Sequence, residues 1–168
     1  MYLNLERTKI MDKKKLLNVV SAGLFLVAAI LWFALPAIAR TEPSNSYSFV
    51  NLTFGKKEVV PLLGEVVIFK FSFLNLLTPL FLLGGVALAA GRVVGKSLEK
   101  NKALGYVLLA LGLVSVVLIF LVKNLALMPN VDNVAEQLKA YKLTGGAVAT
   151  LILAGLGGVA GVAADLLK

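Results

Sequence analysis

The chain contains no cysteine and no histidine. Without cysteine no disulfide can tie an external loop and no thiol nucleophile is on hand. Without histidine the common zinc sets and the His-dependent nucleophiles are missing. Acidic residues are scarce too, nine Asp and Glu against 17 Lys and Arg. Glu42, Glu58, Glu65, Glu99, Asp132, Glu136 and Asp165 are scattered with no motif spacing, and they are expected as solvated partners of nearby Lys and Arg. No catalytic, metal or nucleotide motif is visible, so the expectation is a non-enzymatic protein with no cofactor.

What the chain has in excess is apolar length. Apolar residues make up 59% of it and its mean hydropathy is +0.90, whereas soluble domains are about 45–50% apolar. The excess is concentrated in the stretches 16–39, 71–91, 103–122 and 143–164, none of which holds Asp, Glu, Lys or Arg. A bilayer core of about 30 Å needs roughly 20 apolar residues as a helix, so each stretch is long enough to cross. The expected fold is therefore all-α and integral to a membrane, a four-transmembrane-helix bundle forming one domain. Its segments are a basic tail (1–15), span one (16–39), a first loop (40–70), span two (71–91), a basic loop (92–102), span three (103–122), a last loop (123–142), span four (143–164) and a short tail (165–168). The net charge of +8 flanks the apolar blocks and reads as topology signals and lipid-headgroup contacts rather than as a nucleic-acid surface.

Orientation follows from Lys and Arg in the short loops. Ten lie on the side of both tails and the 92–102 loop, and seven are spread over the longer opposite loops. Both termini are expected in the cytoplasm, with the plasma membrane as the compartment. Trp32 and Tyr141 fall where an aromatic belt is expected. Lys13 to Lys15, the apolar run and Ala37-Ile38-Ala39 resemble the three parts of a secretory signal peptide. The run is about 20 residues, however, where a signal core has about 7 to 15, and a retained helix is expected.

The first external loop carries β-branched and aromatic residues from Tyr47 to Phe54, a turn at Gly55-Lys56-Lys57, and Val59-Val60 and 65–69 around a second turn at Pro61 to Gly64. This predicts a small antiparallel hairpin or meander resting on the helix ends. In the last loop Val131, Val134, Ala135, Leu138 and Tyr141 recur at helical spacing, which predicts a short amphipathic helix.

Within the spans the small and polar residues carry the remaining information. Asn75, Thr78, Leu82, Gly85 and Ala89 share one face of span two, and Gly105, Leu108, Gly112 and Ser115 one face of span three. Gly146, Thr150, Ala154 and Gly158 repeat every four residues in span four, with Gly157 and Gly161 as a GxxxG pair beside them. Small residues let membrane helices approach closely, so these faces are candidates for helix packing within one bundle, with room in span four for a second contact between subunits. Asn75, Thr78 and Pro79 form a candidate polar cluster, because Pro79 frees a carbonyl one turn earlier, and a candidate polar pathway passes Asn75, Thr78, Ser115 and Thr150. The layout is similar to that of claudin-like tetraspan proteins in topology alone. The first loop lacks the Trp and paired-Cys signature of that family, so none of its functional residues is carried over. The leading expectation is a protein that acts by assembly, as a homo-oligomer or as a small subunit of a membrane complex, with the lipid bilayer and itself or another membrane protein as partners. The alternative is a small channel or transporter with a pathway near Asn75 and Thr78.

Overall fold

The computed structural model describes residues 2–41, 44–62, 64–129, 136 and 139–167. In chain order the elements are α1 (Tyr2–Ala34), β1 (Pro36–Arg40), β2 (Asn45–Ser48), α2 (Phe49–Phe54), β3 (Lys56–Val60), β4 (Gly64–Phe69), α3 (Phe73–Val94), α4 (Lys96–Lys100), α5 (Ala103–Phe120), β5 (Lys142–Leu143) and α6 (Gly145–Leu166). Four helical segments are long and apolar enough to cross a membrane: Lys13–Ala34 of α1, α3, α5 and α6. At a rise of about 1.5 Å per residue, 18 to 22 residues match the hydrocarbon thickness.

These helices run alternately up and down. Helix α1 packs on α3 and α6, and α5 packs on the same two, so α3 and α6 face each other across a diagonal and also touch. Inward faces carry the small and polar residues, among them Gly85 and Ala89 of α3, Gly105 and Gly112 of α5, and Ala154 and Gly158 of α6. Outward faces carry bulk, with Leu80, Leu83, Val114, Val117, Ile152 and Val159 exposed. This inversion suits a lipid surround, where side-chain bulk costs nothing outside and close backbone approach drives association inside.

The end of the bundle opposite the termini is capped by two small antiparallel sheets. In the first, β1 is central between β2 and β5. Ile38 pairs with Tyr47 on one side and Leu143 on the other, so the first and last loops share one sheet. The second is the β3–β4 hairpin. Gly55, with φ +92°, sits at its base, where a Cβ would lie 2.8 Å from the Phe69 carbonyl oxygen. Ser72 Oγ accepts from the amide of Asn75, and Thr144 Oγ1 from that of Ala147, capping α3 and α6 where these helices leave the cap. Thr144 also donates its hydroxyl to the Pro36 carbonyl, and its amide donates to Ala37 O at 3.0 Å, which binds the start of α6 to β1.

Several expectations are corrected here. The first span does not run to residue 39: helix α1 ends at Ala34, and 36–40 is a strand. Pro36 cannot donate a backbone hydrogen bond to a continuing helix. The apolar residues after it, Ala37 and Ile38, belong to the central strand β1 and are buried within the protein rather than facing lipid. At the other end α1 begins at Tyr2, so the basic tail is helical for most of its length. The run from Tyr47 to Phe54 is not one strand. Ser48 Oγ accepts from the Asn51 amide at 3.2 Å and starts the short helix α2. Trp32 and Tyr141 are not on a lipid-facing belt. The cap covers both, with Trp32 stacked on Phe49 at 5.6 Å and Tyr141 against Tyr47 at 5.8 Å. The amphipathic helix expected in the last loop falls on 130–135 and 137–138, which lie outside the described residues.

Candidate functional site

Three layers of the bundle hold the residues of interest. Asn75 lies in the layer under the cap, 1% exposed. Its Nδ2 donates to the Leu52 carbonyl of α2 at 3.1 Å and to the Val122 carbonyl beyond α5 at 3.3 Å. Ser72 Oγ donates to Leu125 O at 2.7 Å, and the Ser72 amide to Thr53 O at 2.8 Å. Asn75 therefore joins the head of α3 to the cap and to the end of α5. Thr78 and Pro79 follow on the same buried face, and α3 continues through Pro79 without interruption. Ser115 is buried on α5, and its hydroxyl has no hydrogen-bond partner among the described residues.

In the middle layer the Phe25 ring of α1 is wedged between α3 and α6. A Cβ added at Gly85 would lie 2.8 Å from that ring, and one at Gly157 3.0 Å. Gly112 and Gly158 bring α5 and α6 together, with a Cβ at Gly112 falling 2.8 Å from the Ala154 carbonyl. Gly161 faces Leu108, and Gly146 faces Leu35. Thr150 turns its hydroxyl back to the Gly146 carbonyl at 2.8 Å. The glycines of the small-residue faces are thus in contact with other segments of the same chain.

The third layer, at the end that carries both termini, holds a pair that sequence reasoning missed. Arg92 of α3 donates to Asp165 of α6 and, at 3.2 Å, to the Gly161 carbonyl. Their side chains are 1% and 6% exposed. The carboxylate occupies the space that a side chain at Gly105 would need, so α5 closes the third side. Asp165 is thus not solvated, and Arg92 is more than a topology signal. A signal was present: Asn75, Thr78, Leu82, Gly85 and Ala89 alternate by three and four, and the next step on that buried face is Arg92. Charged side chains inside a membrane bundle are costly and pair with one another.

Outside the spans, Tyr47 is a perturbed titrating group. Burial, with Tyr141 and Glu58 beside it, pushes its hydroxyl up to about 12.

Four candidate membrane-spanning helices with apolar outward faces mark the chain as a multi-pass membrane protein in contact with lipid. Comparison with protein-family models, with curated proteins and with solved structures finds no match.

Proposed function

We propose that this chain is a non-enzymatic four-span protein of the plasma membrane that acts by assembly, as a homo-oligomer or as a small subunit of a membrane complex, with both termini in the cytoplasm. The observation that carries this reading is the β3–β4 hairpin. Its root is fixed, with Phe69 buried and the Lys70 amide bonded to Leu127 O at 2.8 Å. Its tip stands clear of the bundle with Val59 78% exposed and Leu62 fully so. Apolar side chains on a protruding, anchored hairpin are suited to contact with another protein. The bundle itself supports the same reading over transport: Phe25, seated against Gly85 and Gly157, fills the centre where a pathway from Asn75 and Thr78 would continue.

The test is the mass of the protein–lipid particle in mild detergent, for the parent and for the double variant Val59→Lys, Leu62→Lys. Assembly through the hairpin predicts a parent larger than one chain and a variant reduced to one chain with an unchanged melting temperature. A parent that is monomeric when co-purified from its own membrane, or that conducts solute in liposomes, overturns the reading.

A further inference from the structure

The Arg92–Asp165 layer is incompletely bonded. Among the described residues Arg92 Nε, Asp165 Oδ2 and both side-chain atoms of Asn18 are buried without a hydrogen-bond partner. Helix register puts these groups at one level. Phe25 of α1 touches Gly85 of α3 and Gly157 of α6, and both neighbours run antiparallel to α1. Seven residues are about 10 Å of helix, and they return to within about 20° of the same face. Stepping that far towards the termini leads from Phe25 to Asn18, from Gly85 to Arg92 and from Gly157 to Ala164, the neighbour of Asp165. Asn18, 1% exposed, therefore points into the seam where the ion pair lies. Ser21, one turn nearer Phe25, already bonds α6 through Gly157 O at 2.7 Å.

We propose that Asn18, Arg92 and Asp165 enclose a binding site for a small neutral molecule that both donates and accepts hydrogen bonds: water, or a solute of the same chemistry such as a simple amide. Two of the open atoms, Arg92 Nε and Asn18 Nδ2, are donors, and two, Asp165 Oδ2 and Asn18 Oδ1, are acceptors. Arg92 and Asp165 cancel each other's charge, so an ion entering this layer would be left uncompensated. Buried polar groups left unpaired are strongly disfavoured, and a buried water ordinarily satisfies two to four of them. Phe25 closes the site on the side of the cap.

The test uses the full chain in lipid nanodiscs. Magnetisation transfer from water to the Asn18 side-chain amide and to Arg92 Nε–H is read by NMR, with and without formamide. Contact with water and no response to formamide identifies water as the occupant. A saturable formamide shift at both groups identifies a solute site. The absence of both signals overturns the proposal. The variant Asn18→Leu separates an occupied site from a dry one by sign. An occupied site predicts a lower melting temperature and loss of the Arg92 water contact. A dry cluster predicts a higher melting temperature, because two unpaired polar atoms are removed, and that result also overturns it. Should the variant not fold, the measurements on the parent decide.

Discussion

The Arg92–Asp165 pair offers the sharpest energetic test of the bundle, because removing one partner and removing both have opposite logic. In Asp165→Leu the guanidinium, 1% exposed, keeps the Gly161 carbonyl at 3.2 Å but loses its counter-charge. In Arg92→Met the carboxylate, 6% exposed, loses its only hydrogen-bond donor among the described residues. An uncompensated buried charge costs about 3–5 kcal/mol, while replacing both members with apolar residues is often close to neutral. Each single variant is therefore expected to lose about 3 kcal/mol or more, and the double variant no more than either single one. The interaction energy of the cycle then also reaches about 3 kcal/mol. Equilibrium unfolding in mixed micelles, followed by helical circular dichroism, measures all four corners. Losses below about 1 kcal/mol that simply add, as for solvent-exposed pairs, would refute the view that α3 and α6 are clasped across the diagonal.

Other expectations follow from the same contacts. Gly112→Ala meets only backbone atoms of Ala154 and Gly158, so α5 and α6 must separate, at a cost of about 1–3 kcal/mol, whereas Gly84→Ala, with nothing within 4 Å, should be neutral by thermal melting. Asn75→Leu removes two bonds to Leu52 and Val122 and should cost about 0.6–2 kcal/mol; a folded variant with normal stability and lost solute flux would instead favour a pathway. Burial pushes the Tyr47 hydroxyl up from its ordinary 10.0 to about 12 in the folded state. The folded state therefore holds its proton longer, and the stability present below pH 10 should fall as pH rises from about 10 to 12. Tyr47→Phe should remove that slope from pH-dependent melting curves.

Span number and the small-residue faces were legible because length and helical periodicity are local properties. The end of the first span was not. Ala37, Ile38 and the preceding apolar run look alike in composition, yet one part faces lipid and the other forms the central strand of a sheet whose third strand comes from residues 142–143. Apolarity records burial, not what does the burying. The segment Phe49–Phe54 misled for a different reason: its aromatic and β-branched residues favour a strand, but the Ser48 cap and the burial of Phe49 and Leu52 under the cap override that preference. Arg92 and Asp165 each stand one residue beyond an apolar stretch, where a charge is ordinarily an interface marker. Only the register of α1, α3 and α6 brings the two together from 73 positions apart. The sharing of β1 between the two loops is equally non-local and left no local trace.

The most direct test of the proposed membrane architecture is single-cysteine accessibility, clean in a chain without native cysteine. Ser46 lies exposed in β2 of the cap and Ser97 exposed in α4 at the opposite end. In intact cells an impermeant thiol reagent should label Ser46→Cys and leave Ser97→Cys unlabelled until the membrane is permeabilised. Labelling of Ser97→Cys alone would reverse the orientation, and equal labelling of both sites in sealed cells would contradict a four-span bundle whose two ends lie on opposite sides of the membrane.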